Sequence, residues 1–232
     1  MALILNIDTA TENASLALSK NGEVLQIISN PDLKDHAAWI HTAIKALMDK
    51  SGHALSQLNA IAVTAGPGSY TGLRVGMATA KGLCYVLNIP MITENTLKVM
   101  AKAAKDLVKE SSSNLTKDHQ LLLVPMIDAR RMEVFTAVYD SMLKEVMDPI
   151  ALVLSQDSFS DKESGNELII FGSGSAKFQQ LIQKKNFHFE NIVHNAGHLA
   201  ALSYEKFLKS DFANLAYVEP VYLKEFYTHT KK

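Results

Sequence analysis

An internal duplication constrains this 232-residue chain more than any other feature of its sequence. Residues 3–10 read L-I-L-N-I-D-T-A, and residues 123–130 read L-V-P-M-I-D-A-R. Both are apolar runs that end in an aspartate and a turn, and a pair of predicted strands follows each at similar spacing. A repeat of this length is too long for a solenoid, so it predicts two related lobes, each a mixed sheet flanked by helices. Asp8 and Asp128 would then face each other across a cleft.

The order of the predicted elements supports the duplication. Residues 1–109 predict three strands, a helix, a strand and a helix that reaches toward the end of the lobe, and residues 119–232 repeat the plan in a smaller lobe. Residues 110–118 are rich in serine and other polar types, which is typical of a linker. The later elements of the second lobe are predicted as a strand at 168–171, a helix at 176–185, an extended piece at 192–193, a helix at 196–209 and a final segment at 218–227 that returns to pack on the body.

Residues 60–87 predict a strand, a Gly-Pro-Gly turn and a long helix capped by Ser69 or Thr71. The helix carries Gly72, Gly76 and Ala80 on one face, where each glycine costs about 1 kcal/mol of helix propensity. Such a stripe indicates close approach by another backbone. A phosphate cradle at the helix N-terminus is the alternative, but G-P-G-S-Y-T-G matches neither a P-loop nor G-x-G-x-x-G. The sequence therefore favours packing or contact with a partner.

The composition excludes several classes of protein. A net charge of −1 argues against strong binding to nucleic acid by this chain alone. The single cysteine, Cys84, rules out an internal disulfide, fits a reducing compartment and is expected to be a small buried side chain. The first residues lack the pattern of a signal peptide, and no stretch is apolar for the length that a membrane helix requires. The sequence predicts a cytoplasmic protein without membrane contact.

The duplicated βββαβα plan with an aspartate turn resembles the actin, Hsp70 and sugar kinase superfamily. Three segments resemble more specifically the TsaB family, also called YeaZ. They are I-D-T-A-T-E-N-A-S-L-A-L at 7–18, T-A-G-P-G-S-Y-T-G-L-R-V-G-M-A-T-A-K-G-L at 64–83 and I-D-A-R-R-M-E-V-F-T-A-V-Y at 127–139. The resemblance covers nearly the whole chain and is most specific in the second segment. It implies an α/β fold of two duplicated lobes, the second reduced.

The resemblance also implies a function. It predicts a non-catalytic subunit that forms a heterodimer with a TsaD-like threonylcarbamoyltransferase and activates it. That enzyme makes threonylcarbamoyladenosine (t6A) at adenosine 37 of tRNAs that read codons beginning with A. A TsaE-like ATPase would join the complex, tRNA would bind only through it, and the isolated chain would form a homodimer. No cofactor is implied. The competing class is a nucleotide-dependent or metallopeptidase-like (glycoprotease) enzyme of the same superfamily.

In the TsaB family the first two helices of the N-terminal lobe form the pairing surface, and they correspond here to residues 35–50 and 71–87. The residues that the resemblance assigns to partner binding are Trp39, Ile40, Ala43, Leu47, Gly72, Leu73, Arg74, Gly76, Met77 and Ala80. Nucleotide-using relatives hold phosphates and Mg²⁺ at the two aspartate turns and place a glycine loop near adenosine. The corresponding vestigial nucleotide site here would consist of Asp8, Thr9, Asp128, Gly172 and Gly174.

Two pairs of histidines are close enough in sequence to be considered as metal ligands. His36 and His41 are five residues apart, about 140° around a helix, and cannot share one metal ion. His194 and His198 have the four-residue spacing, but Asn195 between them predicts the start of a helix, and no third ligand lies nearby. The sequence therefore predicts no metal site.

Overall fold

The structure, a computed structural model, describes residues 1–30, 35–111 and 120–224. It contains two five-stranded mixed sheets. The first has the strand order β3-β2-β1-β4-β5, with β1 antiparallel to β2 and parallel to β4. Its elements are β1 (Leu3–Asp8), β2 (Ser15–Lys20), β3 (Glu23–Ser29), α1 (His36–Ser51), β4 (Ala60–Gly66), α2 (Tyr70–Leu87), β5 (Met91–Asn95) and α3 (Thr96–Ser111).

The second sheet repeats the plan of the first. Its strand order, β8-β7-β6-β9-β10, matches the first sheet strand for strand, again with an antiparallel pair beside a parallel one. Its elements are β6 (Gln120–Asp128), β7 (Glu133–Asp140), β8 (Glu145–Val153), β9 (Asn166–Phe171), α4 (Ser175–Gln179), β10 (Phe187–Glu190) and α5 (Ala196–Leu208). The predicted fold class, two duplicated α/β lobes with the second one reduced, is confirmed.

The second lobe is smaller because its outer helices have shrunk. A single turn of 3₁₀ helix, Ser160–Lys162, stands where the first lobe has α1, and α4 has five residues where α2 has eighteen. The helix predicted over 176–185 is therefore wrong beyond Gln179. Phe187 pairs with Leu168 near the start of β9, so the chain must return along the sheet within a few residues. An extended chain covers that distance, whereas a helix rises only about 1.5 Å per residue. The extended piece predicted near residues 192–193 lies slightly earlier in the chain, as the strand β10, which ends at Glu190.

Helices α3 and α5 fill the space between the two sheets. Helix α3 packs against β6 and β7 as well as β4 and β5, and α5 packs against all five strands of the first sheet. One apolar cluster joins Ile4 and Ala62 of the first sheet, Met100 of α3, Phe171 of the second sheet and Leu199 of α5. The linker predicted at 110–118 begins inside α3, and residues 112–119 lie outside the described ones. The division at this point stays a prediction.

Helices α1 and α2 cover the outer face of the first sheet. Both begin at a side-chain cap, since Asp35 accepts a hydrogen bond from the Ala38 amide and Ser69 accepts one from the Gly72 amide. Their apolar faces bury a second cluster against the strands. Cys84 belongs to this cluster, and burial raises the pKa of its thiol to about 11, which confirms the expected core position.

The residues after α5 form a strap along α2. Ala213 bridges to Met91 at the edge of the first sheet, and the Val221 amide donates to the Ala65 carbonyl at 2.7 Å. Lys81 donates to the Val218 carbonyl at 3.1 Å, and Lys224 pairs with Glu133 of β7. The prediction that this segment packs on the body is confirmed through residue 224, and residues 225–227 lie outside the described part. None of the helices in the described ranges combines the length and apolar character needed to cross a membrane.

Candidate functional site

A cleft of about 1050 Å³ lies where β1 and β6 end. It is lined by the turns that follow these strands, the first residues of α2, the glycine loop after β9 and the segment between β10 and α5. Since β4 is parallel to β1 and β9 is parallel to β6, the carboxyl ends of four central strands point toward this region. In α/β proteins such a crevice is the usual position of a ligand site.

Asp8, at the end of β1, is buried and is 1% exposed. Its Oδ1 accepts hydrogen bonds from the Thr64 hydroxyl at 2.9 Å and the Ala10 amide at 3.2 Å. Its Oδ2 lies 3.2 Å from Nε2 of His194, a residue that lines the cleft. Burial by itself raises the pKa of the carboxyl, but the charge of His194 and the hydrogen bonds together outweigh it, so the pKa of Asp8 is lowered. The carboxylate is therefore ionised, and its contacts are with Thr64, the Ala10 amide and His194 of the same chain.

Asp128, at the end of β6, has the same local turn in a more open setting. Its Oδ1 accepts from the Arg130 amide at 2.6 Å and pairs with Lys177 of α4 at 2.6 Å. Its side chain is 41% exposed and lies on the wall of the cleft. Burial raises its pKa, and the bonds from Lys177 and Arg130 outweigh that, so the pKa of Asp128 is lowered. Asp128 thus lines the cleft, whereas Asp8 is enclosed beside His194, which does line it.

The glycine loop after β9 is held against β6. Gly172 has a φ of 95°, and a Cβ there would collide with the Met126 carbonyl. A Cβ at Gly174 would collide with the side chain of Val134. The Ser173 hydroxyl accepts a hydrogen bond from the Asp128 amide at 3.1 Å. The structure therefore places Gly172 and Gly174 beside the second aspartate turn, and their small size serves close packing there.

The glycine stripe of α2 packs against the turn that follows β1. A Cβ at Gly72 would collide with the Thr9 carbonyl oxygen, and one at Gly76 would collide with the Thr9 hydroxyl. That hydroxyl donates to the Gly72 carbonyl at 2.7 Å. The segment that approaches the glycine stripe therefore belongs to this chain, because Thr9 fills the space that side chains at Gly72 and Gly76 would occupy. Thr9 lies beside Asp8, as the sequence prediction required, but it is fully buried.

The predicted partner-binding set is mostly internal to the chain. Trp39 is half-buried and Arg74 is exposed. The buried members are Ile40, Ala43, Leu47, Gly72, Leu73, Gly76, Met77 and Ala80. This corrects the assignment of those eight side chains to a partner surface, because the outer face of the first sheet requires an apolar cover and they supply it.

The exposed face of α2 carries apolar residues that the sequence assignment omitted. Tyr85 and Val86 are 80% and 78% exposed. Toward the start of the helix, the Arg74 guanidinium lies 4.0 Å from the centre of the Tyr70 ring and donates to the Tyr222 hydroxyl at 3.2 Å. The helical period could have predicted the exposure of Tyr85, because this residue lies on the same face as Arg74, away from the apolar stripe.

The histidines have structural partners. His36 lies within hydrogen-bond distance of Asn30 and of the Thr11 carbonyl, and His41 is exposed on α1. His198 accepts from the Asn195 amide in the cap of α5, and burial lowers its pKa. His194 faces Asp8 instead of sharing a ligand with His198. Within residues 1–30, 35–111 and 120–224, no three acidic, histidine or cysteine side chains are grouped as metal ligands.

Comparisons with known proteins place the chain in a family. The tRNA threonylcarbamoyladenosine biosynthesis protein TsaB of Haemophilus influenzae is 29% identical, over 98% of this chain and 96% of that protein. TsaB of Escherichia coli is 28% identical, over 95% of this chain and 94% of that protein. The structure of YeaZ from Pseudomonas aeruginosa superposes with a TM-score of 0.77 at 23% identity, covering 96% of this chain and all of that one. The resemblance to the TsaB family is confirmed.

A family model described as TsaD, tRNA N6-adenosine threonylcarbamoyltransferase, matches residues 26–226. The match spans both lobes and both outer helices. The chain therefore belongs to the family of tRNA N6-adenosine threonylcarbamoyltransferase proteins.

Proposed function

We propose that this chain is a non-catalytic subunit in the biosynthesis of t6A in tRNA, and that it binds and activates a TsaD-type threonylcarbamoyltransferase. The relatives named TsaB support the pathway, and they match this chain over nearly their whole length. The target would be adenosine 37 of tRNAs that read codons beginning with A, and tRNA would contact the chain only within the complex.

The observation that carries the proposal is the asymmetry of the two lobes. The first lobe has an outer layer of two long helices, and the second has a 3₁₀ turn and a five-residue helix at the equivalent positions. The outer face of α2 exposes Tyr85 and Val86, and exposed apolar side chains on a rigid helix are suited to contact with another protein. The partner would therefore dock on α1 and α2. In isolation the same face would pair with a second copy.

The cleft supports a non-catalytic role. Its more buried carboxylate, Asp8, is engaged by Thr64, the Ala10 amide and His194 of its own chain. Asp128 is paired with Lys177 across the second turn. A carboxylate that holds a metal-bound phosphate needs oxygens that the ligand can reach. Asp8 is enclosed by groups of its own chain, and the accessible Asp128 already pairs with Lys177 through Oδ1. Catalysis would take place on the partner, which a TsaE-type ATPase would also join.

A matched pair of variants tests the docking surface. Val86→Asp places a charge on the exposed face of α2, and Val153→Asp places the same charge at the end of β8, where the valine is 67% exposed. Both proteins should fold. Val86→Asp should reduce co-purification with the TsaD-type partner and the t6A content of tRNA at least tenfold, whereas Val153→Asp should leave both unchanged. If both variants assemble normally, the surface is wrongly placed. If tRNA is fully modified without the chain, the function itself is wrong.

A further inference from the structure

The turn formed by residues 8–10 connects the cleft to the start of α2. On one side, Asp8 faces His194 at 3.2 Å. On the other, Thr9 donates to the Gly72 carbonyl at 2.7 Å, and the Ala10 carbonyl accepts from the Ser69 amide at 2.7 Å. Three successive residues thus join the segment before α5 to the capping residue and first turn of α2.

The contacts on the α2 side leave the turn no room to move alone. A Cβ at Gly68 would collide with the Ala10 carbonyl, and one at Gly72 would collide with the Thr9 carbonyl. Packed protein interiors respond to a displacement by moving as a unit, because there is no void to absorb it. A displacement of the turn is therefore transmitted to the N-terminus of α2.

The contact on the cleft side depends on charge. Asp8 Oδ2 and His194 Nε2 are both buried, and within the described part of the chain neither atom has a hydrogen-bond partner, so they interact as a pair of charged groups at 3.2 Å. A buried carboxylate is costly unless an opposite charge or enough donors compensate it. Protonated His194 supplies that charge, and neutral His194 does not.

We propose that His194 is a positioning residue whose charged pair with Asp8 fixes the turn at 8–10, and through it the first turn of α2. The position of Tyr70 and Arg74 on the outer surface then depends on the protonation of a residue in the cleft. The first step concerns the chain alone. The second, that partner affinity follows the pair, rests on the proposed function.

Other charged groups surround the pair. Lys102 and Asp106 of α3 act on the neighbouring His198. The charged residues that line the cleft with His194 are Glu12, Asp128, Arg130, Arg131 and Lys177. Among the described residues, the only charged side chain that lowers the pKa of Asp8 is His194. His198, whose pKa the charge of His194 lowers further, is the other histidine whose protonation must be followed alongside that of His194.

The first experiment uses the isolated chain. Hydrogen exchange of the Ser69 amide, which donates to Ala10, reports the turn, and NMR titration gives the midpoint of His194. In the wild type, Ser69 exchange corrected for its intrinsic rate should rise at least tenfold as pH increases, with the midpoint of His194. In His194→Gln it should be raised and independent of pH. His188→Gln is the matched control, because His188 also faces a carboxylate, Glu167 at 2.7 Å, but in the second lobe.

The outcomes are decisive even if His194→Gln fails to fold, because the wild-type profile stands by itself. Ser69 exchange that does not follow the His194 titration overturns the proposal. So does a His194→Gln variant whose Ser69 exchange lies within twofold of the wild type. The second experiment measures the affinity for the TsaD-type partner over the same pH range. If Ser69 exchange follows His194 while affinity does not, the positioning step holds and its link to the partner surface fails. If wild-type chain does not bind the partner at all, the proposed function fails instead.

Discussion

Asp8 and Asp128 occupy equivalent positions in the two lobes, and their local turns are alike. Each follows the central strand of its sheet and accepts a hydrogen bond from the amide two residues later. Their surroundings differ. Asp8 is enclosed by Thr64 and His194, while Asp128 is 41% exposed and pairs with Lys177. One motif therefore acts as an internal anchor in the first lobe and as an accessible wall of the cleft in the second.

The helices that follow explain this difference. In the first lobe, α2 brings glycine positions against the turn, so that Thr9 and Ala10 are clamped by the helix. In the second lobe, α4 ends after five residues and contributes one lysine to the turn. Losing a long helix leaves a carboxylate open, and keeping it makes the turn part of the core. A duplicated motif thus diverges through the elements that pack on it.

The largest expected effect is at the enclosed aspartate. Asp8→Ala should destabilise the protein by about 3–5 kcal/mol, because it leaves the Thr64 hydroxyl without its acceptor and His194 without the opposite charge of a buried pair. Urea unfolding of the purified variant measures this. A loss below about 1 kcal/mol would mean that Asp8 contributes no more to stability than an exposed ion pair does.

The clamp itself can be tested with two glycines of one helix. Gly72→Ala should destabilise by about 1–3 kcal/mol, because the new methyl group overlaps the Thr9 carbonyl. Gly82→Ala is the matched control, since a Cβ there meets no atom within 4 Å. It should stabilise by about 0.5–1 kcal/mol through helix propensity. Equal effects in thermal unfolding would contradict the clamp.

Much of this architecture is predictable from the repeat. The spacing of the two apolar runs and their aspartates gives the two lobes, and the Ser69 and Asn195 caps give helix starts that the structure confirms. The glycine stripe of α2 also indicates close approach by a backbone. The stripe does not indicate which segment approaches, because Thr9 precedes Gly72 by 63 residues. Glycines show that space is available on the helix, but they do not show which residue fills it.

His194 shows the same limit. Its four-residue spacing to His198 draws attention to a shared metal, whereas its partner in the fold is Asp8. Contacts of this kind join residues far apart in the chain, and no local period encodes them. The sequence also does not predict that α4 ends at Gln179, for a related reason. Residues 176–185 carry an apolar pattern, but the parallel pairing of β10 with β9 decides where the helix must end.

The charge of Asp8 makes the stability of the protein depend on pH. The pKa of Asp8 in the folded protein lies below its ordinary value of 3.8, so its contribution to stability is present above that value and is lost as pH falls through the folded-state pKa. The free energy of unfolding is measured by urea denaturation from about pH 6 to about pH 2. Its slope against pH in the acid range should be smaller in Asp8→Asn than in the wild type, by the equivalent of up to about one bound proton. As pH falls, the wild type should lose stability relative to Asp8→Asn, because the asparagine does not titrate. A wild type that gained stability relative to Asp8→Asn would contradict the lowered pKa of Asp8.

The smallest effect is expected at the open aspartate. Asp128→Ala removes an ion pair to Lys177 whose carboxylate is partly in water, and such pairs contribute about 0.2–1 kcal/mol. The Arg130 amide loses its acceptor too, but at this exposed turn water can replace it. Urea unfolding should therefore show a loss below about 1 kcal/mol, and added salt should reduce it. If Asp128→Ala destabilised as much as Asp8→Ala, the two turns would be energetically equivalent. The helix packed on the first lobe would then not be what makes its aspartate an anchor.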